Sequence, residues 1–60
     1  MTVREVLRLL YEDGWLDKVQ KGSHLQLVHP TKSGKVTVPM HKGDVAPGTL
    51  HSILKQAGLK

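Results

Sequence analysis

The chain contains no cysteine, so neither a disulfide framework nor a thiolate zinc site is open to it. A reducing cytoplasm is the expected setting. No apolar run approaches the length of a membrane span, and Met1-Thr2-Val3-Arg4-Glu5 lacks the basic-then-apolar opening of a secretory leader. Carboxylates are scarce too. Of five Asp and Glu, four (Glu5, Glu12, Asp13, Asp17) stand in the first 17 residues, and they form no pair resembling an acid-base dyad or a metal-binding triad. The four histidines are separated by 5, 12 and 10 residues, which matches no short spacing that brings two imidazoles onto one metal. Gly22-Ser23 could cradle a phosphate with its backbone N–H groups, but one glycine before a strand is more often turn chemistry, and it matches no P-loop. No metal, small-molecule cofactor or nucleotide hydrolysis is therefore expected.

What is abundant is positive charge. Nine Lys and Arg leave a formal net charge of +4 on 60 residues, with Lys18, Lys21, Lys32, Lys35 and Lys42 in the middle of the chain. A basic centre of this kind suits phosphate backbones. Ordinary solubility explains a charge of this size slightly better, so charge alone leaves that reading ahead. Residues 1–60 read as one domain, without repeat, linker or low-complexity segment. A domain so short buries only about 60% of the surface its unfolded form exposes. Its folding free energy is on the order of 3 to 9 kcal/mol.

Thr2-Val3-Arg4-Glu5 has the form of a capping box, and Val3, Val6, Leu7 and Leu10 recur on one helical face until Asp13-Gly14 supplies a stop. A helix over 3–13 follows. Trp15 to Gln20 is short and mixed, and its strand cannot be oriented from its pattern; Trp15 is assigned to the core. Lys21-Gly22-Ser23 turns the chain into the alternating run from His24 to His29, and Pro30-Thr31-Lys32-Ser33-Gly34 turns it again into Lys35-Val36-Thr37-Val38, which Pro39 ends. Strand parity puts Leu25, Leu27, Val36 and Val38 on one face, with His24, Gln26, Lys35 and Thr37 on the other; Val28 breaks the polar pattern of that second face. After a loop holding His41, Lys42 and Asp44, a second helix carries Leu50, Ile53, Leu54 and Ala57 on one face, begins at Pro47 or at a Thr49 cap, and stops at Gly58. The expected fold is α+β in the order αβββα, a three-stranded antiparallel sheet with both helices on one face.

With no thiol and no paired acids, histidine is the remaining candidate for chemistry. A lone histidine on a strand is usually an unremarkable surface residue. His24 stands out because it follows a glycine turn, points by parity away from the apolar face, and has Lys21 nearby as a phosphate or transition-state partner. His29, beside Pro30 and on the apolar parity, reads as structural.

Gly14-Trp15, Lys21-Gly22-Ser23-His24, Val36-Thr37-Val38-Pro39, His41, and the run from Gly48-Thr49-Leu50-His51 to Ala57-Gly58-Leu59 together resemble the HicA family of toxin components. The likeness spans almost the whole chain, with departures at Val19, where an arginine is more usual, and at His51, where a basic residue is common. It implies a fold like the double-stranded RNA-binding domain, cleavage of messenger RNA that stops translation, and neutralisation by a HicB antitoxin encoded beside the toxin. It also implies that the histidine of Gly-Ser-His, here His24, is catalytic, with His41 of the Val-Pro-x-His stretch as a secondary candidate. On that reading His24 is general base or acid in metal-independent attack of a 2′-hydroxyl on phosphorus. Lys21, Gly22, Ser23, Lys32, Lys35 and Lys42 would bind the RNA. An acidic antitoxin surface is expected over the open sheet face. The alternatives are a non-catalytic double-stranded RNA-binding module and a subunit made chiefly for protein contacts.

Overall fold

The computed structural model describes residues 1–60. Its elements are α1 (Val3–Glu12), β1 (Leu16–Lys21), β2 (His24–Val28), β3 (Val36–Pro39) and α2 (Pro47–Gln56). This is the αβββα order, with one antiparallel sheet in the order β1-β2-β3.

Local chemistry sets the helix limits. At the start of α1 the Thr2 hydroxyl accepts from the Glu5 N–H and the Glu5 carboxylate accepts from the Thr2 N–H, a complete capping box. Those bonds, chiefly the one from the Thr2 backbone, hold the Glu5 carboxyl below the usual carboxylate range. Both helices end alike. Gly14 N–H donates to the Tyr11 carbonyl and Trp15 N–H to the Leu10 carbonyl, while Gly58 N–H donates to Lys55 and Leu59 N–H to Leu54. Each is a Schellman motif with a left-handed glycine, at φ +103° and +73°. Thus α1 stops one residue earlier than the periodicity suggests, with Asp13 as its C-cap. At the other helix, Pro47 opens α2 and Ala46 is the N-cap, so Thr49 makes no cap.

Eleven apolar residues are buried: Val3, Val6 and Leu10 of α1, Trp15, Leu25 and Leu27 of β2, Val36 and Val38 of β3, Val45, Ile53 of α2, and Ala57. Leu25 pairs with Val38 and Leu27 with Val36, so parity delivers one apolar sheet face to the helices. Leu50, expected in this core, is only half-buried against it. Val45 is an addition from the loop, held by its N–H donating to the Met1 carbonyl.

β1 behaves differently: all six of its residues are exposed. Its register with β2 slips between Asp17 and Val19, leaving Lys18 as an extra residue in a β-bulge. The slip keeps Asp17 and Gln20 opposite Leu27 and Leu25, on the helix side, and sets Leu16, Val19 and Lys21 opposite Val28, Gln26 and His24, on the open side. Val28 therefore has an apolar partner in Leu16.

At the end of the sheet opposite the β1-β2 turn, His29 locks the second loop. Its Nδ1 accepts from the backbone N–H groups of Thr31 and Lys32, so Nε2 carries the proton and donates to the Asp13 carbonyl at 2.7 Å. The ring meets Trp15 edge-on, centroids 5.2 Å apart, and Trp15 Nε1 donates to Asp13. A Cβ on Gly14 would come within 2.8 Å of His29 Nε2. Gly14→Ala should therefore combine a disfavoured φ with displacement of the ring, costing about 2 kcal/mol or more. Urea unfolding would show this as a lower midpoint at unchanged slope; a midpoint equal to wild type would mean that the ring moves aside freely.

Candidate functional site

The β1-β2 connection is a two-residue hairpin turn closed by the Lys21-His24 pair. Gly22, at φ +58°, takes the first central position as a type II′ turn requires, and open space surrounds the place where its Cβ would be. The turn demands glycine for conformation, not for room. Gln20 Nε2 donates to the Gly22 carbonyl at 3.2 Å, and Met40 N–H donates to the Ser23 carbonyl. Those two bonds tie the turn to β1 and to the start of the following loop.

His24 opens β2, exposed on the open face, with Lys21 directly opposite on β1 and Pro39 directly opposite on β3. Pro39 is tolerated as the last residue of an edge strand. Directly opposed side chains lie with Cβ atoms roughly 5 Å apart, so Lys21 and His24 form one cationic and imidazole unit. Gln26 and Thr37, paired with each other, continue the row as polar neighbours, and no carboxylate belongs to it. An exposed imidazole beside an ammonium, on a rigid strand, can exchange a proton while the ammonium holds an anion.

The structure groups the expected residues unequally. Lys21, Gly22 and Ser23 adjoin His24 in the hairpin. His41 and Lys42 are exposed in the loop leaving β3 at the same end, with the His41 Nδ1–H donating to the Lys42 carbonyl at 2.9 Å. Lys35 precedes β3, four residues before Pro39, which at strand rise is about 13 Å along the sheet. Lys32, expected among the phosphate contacts, instead has its ammonium bonded to the Asp13 carboxylate and to the Ala57 carbonyl at 3.0 Å, joining the ends of both helices. That bond, first among several causes, lowers the Asp13 pKa.

Sequence reasoning missed the contribution of β1 to this face. Leu16 is 57% exposed and Val19 also lies open, an apolar end to a surface whose other end is cationic. Their odd spacing of three residues was the available signal, because only a bulge puts positions i and i+3 of a strand on the same face.

The family model described as "HicA toxin of bacterial toxin-antitoxin" matches residues 3–59. Among solved structures, a chain of "Toxin-Antitoxin complex from Streptococcus pneumoniae" is 33% identical, with 98% of each chain covered and a TM-score of 0.81. No curated protein matches the chain. A family match that omits only the two first residues and the last, over a shared αβββα fold, places this chain among the HicA toxins of bacterial toxin-antitoxin systems.

Proposed function

We propose that this toxin is an endoribonuclease that cleaves messenger RNA at His24, without a metal, and is silenced by a HicB-type antitoxin. The observation that carries the reading is the Lys21-His24 pair across the hairpin, exposed on a sheet face free of carboxylates. His24 takes the proton of a ribose 2′-hydroxyl as its oxygen attacks the adjacent phosphorus; the bond from phosphorus to the next nucleotide's 5′-oxygen breaks, leaving a 2′,3′-cyclic phosphate and a 5′-hydroxyl protonated from solvent, while the Lys21 ammonium stabilises charge gathering on the phosphoryl oxygens. Gly22 and Ser23 hold the pair in register. Lys42 extends the cationic end, and Lys35 offers a phosphate contact further along the strand.

The test is purified toxin on a structured and an unstructured RNA, with and without EDTA. Cleavage insensitive to EDTA is expected; binding without cleavage would favour a non-catalytic double-stranded RNA-binding module. Affinity should also fall steeply with salt, and Lys21→Ala with Lys35→Ala should make the log-log slope shallower by about 1 to 2. Equal slopes would remove those lysines from the interface.

A further inference from the structure

The apolar surface of α1 is wider than the stripe it buries. Val3, Val6 and Leu10 face the core, but Leu7 is only half-buried and Tyr11 lies open. The sheet does not cover this flank, because β1 turns the polar Asp17 and Gln20 toward it. What remains is a groove of about 440 Å³ floored by Val3, Leu7 and Met40 and rimmed by Arg4, Arg8 and Glu12. Tyr11 forms a wall: its hydroxyl donates to Asp17 on β1 at 2.7 Å, and partial burial together with that carboxylate pushes its pKa up to about 12. Met40 connects the groove to the candidate site, since its N–H holds the Ser23 carbonyl one residue from His24.

We infer that this groove is an anchoring site for the antitoxin, filled by an apolar side chain with carboxylates beside it. The inference rests on the proposed antitoxin partnership and adds the place and the chemistry of the grip. Arg4 has no ion-pair partner in the structure, and Arg8 has only the exposed Glu12 at 3.2 Å, so the rim offers two guanidiniums to an acidic chain. The floor is aliphatic and includes a methionine, which adapts to an incoming side chain. RNA suits the groove poorly, because the apolar side chains of Val3, Leu7 and Met40 offer a base or ribose no hydrogen-bond partner and the Tyr11 hydroxyl is already engaged. The Met40 end of the groove is bonded to Ser23, so a partner with a segment seated here can also reach His24.

The experiment measures the affinity of purified toxin for the antitoxin encoded beside it, and RNA cleavage by the free toxin, for wild type and for Arg4→Glu with Arg8→Glu. Both arginines are exposed, so the fold should persist by circular dichroism. Antitoxin affinity should fall by about 30-fold or more while the single-turnover cleavage rate at saturating RNA stays within about twofold of wild type. In unsubstituted protein, the Leu7 and Met40 methyl resonances should shift on adding antitoxin, a readout independent of any variant. Unchanged affinity together with unmoved methyls overturns the inference. Loss of cleavage with affinity kept assigns the groove to RNA, and self-association abolished by the variant with affinity kept assigns it to a second copy; both overturn it. A wild-type toxin that binds antitoxin but cleaves no RNA sinks the ribonuclease reading alone, whereas one that binds no antitoxin removes the partnership on which the groove depends.

Discussion

His24→Ala is expected to lower RNA cleavage by about 10²- to 10⁴-fold, the usual contribution of a general acid-base group, while the protein stays folded. The ring stands on the open face and makes no hydrogen bond to the rest of the chain that its loss would orphan, so unfolding free energy should change by only a few tenths of a kcal/mol. No thiol or carboxylate shares the His24 row to replace it. His41→Ala and His29→Ala are informative controls: the first retains the Lys21-His24 pair, and the second should act through stability by freeing the loop that His29 locks. Single-turnover cleavage with matched thermal melts separates these effects. A folded His24→Ala that cuts RNA near the wild-type rate would end the assignment of chemistry to this residue; one that unfolds would mean the β2 register is wrong.

Trp15→Ala should be the most damaging substitution for the fold. Trp15 is 1% exposed, follows the Schellman turn of α1, meets His29 edge-on and donates to Asp13. Truncating a buried tryptophan costs about 3 to 5 kcal/mol in transfer and cavity energy. Against a total of roughly 3 to 9 kcal/mol for a chain of this length, that loss is most of the stability. The variant should be largely unfolded at 37 °C or melt with little cooperativity, and added antitoxin should recover part of the folded population by mass action. A cooperative melt within a few degrees of wild type would show that the core closes around the missing ring.

Much of this molecule was legible in the sequence because its signals are local. The Thr2 to Glu5 capping box, the glycines after each helix and the alternation of Leu25, Leu27, Val36 and Val38 each act within a few residues, and each specifies what the structure contains. The hairpin at Gly22-Ser23 was legible for the same reason, and with it the exposure of His24. What escaped was set by contacts between distant segments. The bulge at Lys18 hides the orientation of β1, because a single unpaired residue inverts parity. Lys32 looks like any loop lysine until folding brings it to Asp13 and Ala57. Val45 sits in a polar loop and gives no periodic sign of burial. The α1 groove exists only because β1 bends its polar side toward a helix flank that it does not cover.

The same bulge disfavours pairing of the sheet edge with another copy of the chain. On the far edge of the sheet, the Thr37 N–H is occupied by Gln56 of α2 at 3.4 Å, but β1 has no such cover and presents an unpaired ladder. A straight apolar strand there would template edge-to-edge growth into aggregates. The extra residue kinks the ladder and breaks its regular spacing, while Lys18 and Lys21 add charge that two like edges would have to bring together. Deleting Lys18 would straighten the strand and remove that protection, leaving an edge readier to pair with its like.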